Sequence, residues 1–290
     1  MATAQSLIDD VRSRVVEATA SYFTDAEILR WLNQGYKRFI SLTEWAERVK
    51  AFATTANQFE YTIGTDTIKI ADVRWQDKYK VWFRDREEFG RYTGQSAGQT
   101  GSRPYMYSLF PWDGKIRIYP KPTSSSATTT ITVDSPLSSS ATTINAASTS
   151  SFPTYGRLII DSEQILYTGT TSTTFTGCVR GDGATTAATH TLSTTISAAP
   201  LEVYQVYQPA DLATSPAVGT AIGPSYDEAL INYACHVAMI KRERYDEAQL
   251  FRKLFDDIVA TAIAERRKMQ LDRQFVIKDE DDYGSYYSWV

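Results

Sequence analysis

The sequence predicts an α+β protein: a helical bundle core with a small antiparallel sheet, into which an all-β domain, sandwich or barrel-like, is inserted. Three observations carry this. Apolar residues recur at helical spacing near both ends of the chain, while residues 58–120 alternate with a period of two. Between them, residues 123–199 change composition: about 45% are Ser or Thr and few are charged, whereas the flanks are dense in charged and aromatic residues. That block lies between two strand-like segments, Lys115-Ile-Arg-Ile-Tyr119 and Leu201-Glu-Val-Tyr-Gln-Val-Tyr207. A surface loop is where an added module costs least. The expected division is therefore 1–122 with 200–264 as core, 123–199 as insert, and 265–290 as a C-terminal helix end and extended docking arm.

Each element follows from local pattern. Leu7, Ile8, Val11 and Val15 mark a first short helix, with Asp9, Asp10, Arg12 and Arg14 on its other side. Thr24-Asp-Ala-Glu27 reads as a capping box, in which hydroxyl and carboxylate satisfy each other's backbone N–H groups. Behind it Ile28, Leu29, Trp31, Leu32, Tyr36, Phe39 and Ile40 form a wide apolar face that requires burial, on a helix expected to run to about Arg48. Phe59, Tyr61 and Ile63 alternate with polar neighbours, and 79–84 and 114–119 read as further strands. In the insert, β-branched Thr, alternation over 128–133 and 157–160, and frequent turn residues favour a small sandwich or barrel. Pro224-Ser225-Tyr-Asp-Glu228 offers a second capping box, ahead of a face made by Ala229, Leu230, Tyr233, Ala234, Val237 and Ala238. After a break near Arg244, Ala248, Phe251, Leu254, Phe255, Ile258, Val259 and Ala262 repeat over about four turns, and the two helices should form a hairpin.

Composition narrows the function. The net charge of −4 gives no overall basic field to draw the protein to nucleic acid. The N-terminal ten residues have neither a basic start nor an apolar run, so no secretory signal is expected, and no segment reaches the roughly 18 apolar residues of a membrane span. Cys178 and Cys235 fall in different predicted domains, which argues against a disulfide. Gly90, Gly94, Gly98 and Gly101 lack the Gly-Lys-Ser/Thr of a phosphate loop and read as a mobile loop; Arg91, Gln95, Gln99 and Arg103 would project from it towards a neighbour or a channel. His190 and His236 have no Cys, Asp or Glu at ligand spacing around them, and Asp279 to Asp282 read as a solvated acidic run. Arg180-Gly181-Asp182 spells an integrin-binding tripeptide but is more simply a turn, and Asp85-Arg-Glu-Glu88 starts a short exposed helix. No cofactor, metal site or catalytic set is expected, and the chain reads as a non-enzyme.

The segments Ser6-Leu-Ile-Asp-Asp-Val-Arg12, Phe23-Thr-Asp-Ala-Glu-Ile-Leu-Arg-Trp-Leu-Asn33, Tyr207-Gln-Pro-Ala-Asp-Leu212 and the helix from Pro224 to Ala238 together resemble the head-to-tail adaptor proteins of tailed bacteriophages. Residues 155–190 look like a β module recurring in phage structural proteins. The resemblance implies a virion protein at the head-to-tail interface, made in the host cytoplasm. It implies a ring of twelve copies beneath the portal protein that prolongs the DNA channel, touches tail or nozzle proteins, contacts viral DNA transiently and without sequence preference, serves DNA ejection and involves no membrane. Docking on the portal or a neighbour would then fall to Arg266, Arg267, Lys268, Phe275, Tyr283, Tyr286, Tyr287 and Trp289. The aromatic residues of that tail are too apolar for a segment that only solvates and too scattered among acids to fold alone. The basic residues 266–268 with Arg273 can equally complement a helix C-terminus. Two other classes stand beside the adaptor: a host-surface receptor-binding or tail-decoration protein acting through the β insert, and a wall hydrolase, which the missing catalytic constellations disfavour.

Overall fold

A computed structural model describes residues 3–17, 22–95, 98–110, 114–133, 136–214, 217–218 and 220–274. Among them are five α-helices: α1 (Ala4–Arg14), α2 (Asp25–Thr43), α3 (Arg86–Gln95), α4 (Pro224–Lys241) and α5 (Tyr245–Gln274). The α+β class expected from the sequence is what the chain adopts. It divides into two compact units, Met1–Ala46 with Gln208–Val290, and Glu47–Tyr207.

The first unit is helical. Leu7, Ile8 and Val11 of α1 are buried as their spacing requires, but so is Arg12, which was expected to face solvent. The chain reversal before α2 brings a carbonyl and a carboxylate to it: Nη2 donates to the Phe23 carbonyl at 2.9 Å and Nε to Asp25 at 3.0 Å. The Thr24/Glu27 capping box is formed. However, α2 ends at Thr43, not near Arg48. Glu44 takes the left-handed conformation (φ 53°) and its N–H closes on the Ile40 carbonyl at 2.8 Å, so Arg48 belongs to a strand. The second capping box does not form. Pro224 occupies the first helical position, where its fixed φ and missing N–H are harmless, and Gly223 precedes it at φ 77°, leaving Ser225 inside the first turn. Glu228 instead receives Arg14 through two hydrogen bonds, at 2.5 and 2.7 Å. α2 approaches α4 so closely at Gly35 that a Cβ there would stand 2.9 Å from that of Tyr233. α4 and α5 pack along each other, with Tyr233 edge-on to Phe255, and α5 continues to Gln274.

The second unit is built of small sheets. One runs in the order Glu47–Phe52, Leu201–Tyr207, Thr67–Trp75, Tyr79–Lys80; another in the order Glu60–Thr62, Lys115–Tyr119, Met106–Phe110, Trp82–Phe83, with its last pair parallel. Tyr61, Val73, Ile116, Ile118, Leu201 and Val203 belong to a core that these two sheets share. Within the Thr/Ser-rich block, a third sheet is ordered Thr128–Thr130, Thr195–Ala198, Gly156–Ile160, Glu163–Tyr167, and a fourth Thr143–Asn145, Thr174–Thr176, Gly169–Thr170. Ile144, Leu158, Ile165, Tyr167, Phe175 and Ile196 belong to a separate apolar cluster there. None of these sheets closes into a barrel.

Candidate functional site

The end of α5 holds the basic residues singled out from the sequence, and they do not act alike. Arg266 is drawn into the helical unit: its Nη1 donates to the Thr43 carbonyl at 2.8 Å, and Nη2 stands 3.7 Å from Glu44. It thus covers an orphan carbonyl at the C-terminus of α2, the end where a cation is favoured. The neighbouring Glu265 accepts a hydrogen bond from the Tyr226 hydroxyl; burial first, and that carboxylate second, push the phenol up to about 12. Arg267 and Lys268 are exposed. Phe275, Tyr283, Tyr286, Tyr287 and Trp289 lie outside the described residues.

The glycine-rich segment expected as a mobile loop is helical over its first half. Asp85 accepts from the Glu88 amide at 2.8 Å, Glu87 pairs with Arg91, and Phe89 is buried with Met106 and Tyr119, which together carry α3 through Gly90 and Gly94. Arg91 is therefore on an exposed helical face, Gln95 is the last residue of α3, the Gln99 amide oxygen accepts from the Tyr119 hydroxyl, and the Arg103 guanidinium lies 4.0 Å from the centre of the Tyr79 ring.

The insert contains a constellation that sequence spacing did not show. The hairpin turn after Gly156–Ile160 sets Asp161 and Glu163 on either side of His190, Nδ1 at 2.8 Å from Asp161 and Nε2 at 2.7 Å from Glu163. His190 thus has two acidic partners, brought to it from 29 and 27 residues away and not from metal-ligand spacing in the sequence. Glu163 also takes both forks of Arg180, at 2.8 and 2.7 Å, and the amides of Gly181 and Ala188. Burial alone would raise its pKa, yet these donors hold it at about 2. The Arg-Gly-Asp tripeptide is consumed here. The Arg180 side chain is only 5% exposed, Gly181 and Gly183 sit at φ 66° and 65°, and Asp182 accepts from Arg157 at 2.8 Å. A tripeptide so folded is a turn and presents no guanidinium to a receptor. The two cysteines are free and buried, and burial pushes the Cys178 thiol to about 11 and the Cys235 thiol to about 12. His236 sits on α4 and bonds the Ala248 carbonyl of α5 at 2.8 Å. Among the described residues, no group of three His, Cys, Asp or Glu side chains is placed to hold a metal ion, and no helix is long and apolar enough to cross a membrane.

The arrangement satisfies Arg12, Arg180 and Arg266 inside their own units. A protein-family model, described as SU10 adaptor protein, matches residues 2–162, more than half of the chain. The chain belongs to the SU10 adaptor protein family. The adaptor is accordingly a phage structural protein, a virion component of the head-tail junction that works with other head and tail components. The match takes in α1, α2, α3 and the strands up to the Asp161–Ser162 turn, whereas α4 and α5 lie beyond it. Structural adaptor families are generally non-enzymatic. The search of curated proteins gave no match to this chain.

Proposed function

We propose that this adaptor assembles as a ring of twelve copies below the portal, joins capsid to tail, and prolongs the channel through which DNA leaves. Family membership is the observation that carries the reading. The helical unit supplies a rigid body, and residues 275–290 serve as an arm that docks its aromatic side chains into portal pockets, where such anchors supply most of an interface's energy. Arg267 and Lys268 assist at the rim of that contact; Arg266 belongs to the fold. Arg91, Gln95, Gln99 and Arg103 face a neighbouring subunit or the channel. The acidic net charge suits a conduit, since each phosphate that a wall neutralises strengthens its hold on DNA. We read residues 123–199 as an inserted module that meets tail or nozzle proteins, and the protein as one made in the host cytoplasm that needs no cofactor.

Native mass spectrometry of the full-length protein mixed with purified portal rings tests the reading. The expected result is a saturable complex with one adaptor per portal subunit. A portal that stays bare at excess adaptor overturns it. Adaptor that remains monomeric on its own is compatible, because a portal can template the ring by mass action.

A further inference from the structure

The strand unit contains a cleft of about 690 Å³, lined in part by Arg103. This is within the size range of small-ligand sites. It lies where the two chain crossings of the Thr/Ser-rich block, Ser124 to Ala127 and Ala198 to Glu202, run past Trp75 at the end of its strand and Gln76 in the turn that follows. The hydroxyls of Ser102, Ser124 and Ser151 make no hydrogen bond to any described residue. Tyr155 is 49% exposed, and its ring has no aromatic or cationic partner among the described residues. Arg103 is exposed, stacked on Tyr79, and has no carboxylate within ion-pair distance among the described residues. In the wall, Arg157 stands between two carboxylates, Asp182 at 2.8 Å and Glu202 at 3.0 Å, whereas Arg103 is the lining cation without such a partner among the described residues. Glu202 keeps one carboxylate oxygen, Oε1, without a donor.

Free hydroxyls, one uncovered aromatic ring and one uncompensated guanidinium around a polar cleft are the complement of a sugar that bears a carboxylate. We propose that this cleft binds an acidic oligosaccharide, with a uronate carboxylate on Arg103, a pyranose face on Tyr155 and sugar hydroxyls on the serine rim. Guanidinium and carboxylate match in geometry and charge. A stacked ring adds contact area without fixing a long flexible side chain. The site would give a virion protein a means of holding an acidic envelope or capsular glycan without the buried Arg-Gly-Asp turn.

The test uses the full-length protein, tetragalacturonate as probe, and maltotetraose and tetraglutamate as comparisons, read by calorimetry and saturation-transfer NMR. Tetragalacturonate should bind, and Arg103→Ala and Tyr155→Ala should each weaken it by about tenfold or more, a change of about 1.4 kcal/mol. Both residues are exposed, so the variants should melt like the parent. Binding of tetraglutamate as strong as that of the sugar would show a bare charge effect and overturn the proposal. So would equal binding of maltotetraose, or no binding of tetragalacturonate at millimolar concentration.

Discussion

Glu163 and Glu202 lie in the same strand unit, each with a side chain 1% exposed, yet their surroundings drive them in opposite directions. Glu163 collects the two forks of Arg180, His190 and two backbone amides, and stays ionised down to about pH 2. Glu202 has Arg157 at 3.0 Å and the Tyr204 hydroxyl at 3.4 Å, both on one oxygen, and nothing on the other. Burial, helped by Asp77, pushes it up to about 7 against the pull of Arg157. Both side chains are hidden from solvent, but Glu202 lies deeper among neighbouring atoms, so heavier desolvation and fewer donors act together. A saturated cluster such as that of Glu163 is a structural device that fixes a turn. An under-supplied one, beside a cleft, leaves capacity for a partner.

The most forceful way to break this comparison is Arg180→Ala. It strands Glu163 in the interior and should cost the strand unit about 3–5 kcal/mol in urea unfolding at pH 7. A loss below about 1 kcal/mol would mean that the cluster is not what holds the turn. Next is the pH dependence, whose sign differs between the two acids. Glu163 is depressed in the folded state, so its contribution is full above the ordinary value near 4.5 and is lost as pH falls towards about 2. Glu202 is raised, so its contribution is full below about 4.5 and is lost as pH rises through about 7. Glu202→Gln should therefore flatten the decline in stability between pH 5 and 8 while leaving the acid limb unchanged; a decline of the same slope in both proteins contradicts the assignment. The smallest effect calibrates the scale in the helical unit. Thr24→Ala removes a solvent-exposed cap and should lower stability by about 1 kcal/mol, measured in the same urea series.

The sequence made the helical faces legible because period and burial coincide at Leu7, Ile28, Phe39, Leu230 and Phe255. The Thr24 cap was readable because both of its partners lie within four residues. Ser225 misled because Gly223 and Pro224 offer a competing start two residues earlier, which wins through backbone conformation and not through side-chain hydrogen bonding. The end of α2 was hidden, since Glu44 takes a left-handed conformation that a glycine would have announced. His190, Glu163 and Arg180 could not be joined from spacing, because a hairpin and a turn, each fixed by distant pairing, bring them together. Arg12 and Arg266 looked like solvent or partner cations. Only the folded chain shows that the carbonyls of Phe23 and Thr43 claim them.

At the end of α5, Glu265 and Arg266 are held within the helical unit, and the proposed docking rests on residues 275–290 with Arg267 and Lys268. The direct measurement is electron microscopy of portal rings mixed with full-length adaptor or with a chain ended at Gln274, which keeps both of those contacts. The account predicts a second ring coaxial with the portal for the full-length protein and bare portals for the shortened one. Rings of equal occupancy with both proteins would contradict it and place the docking surface within the described fold.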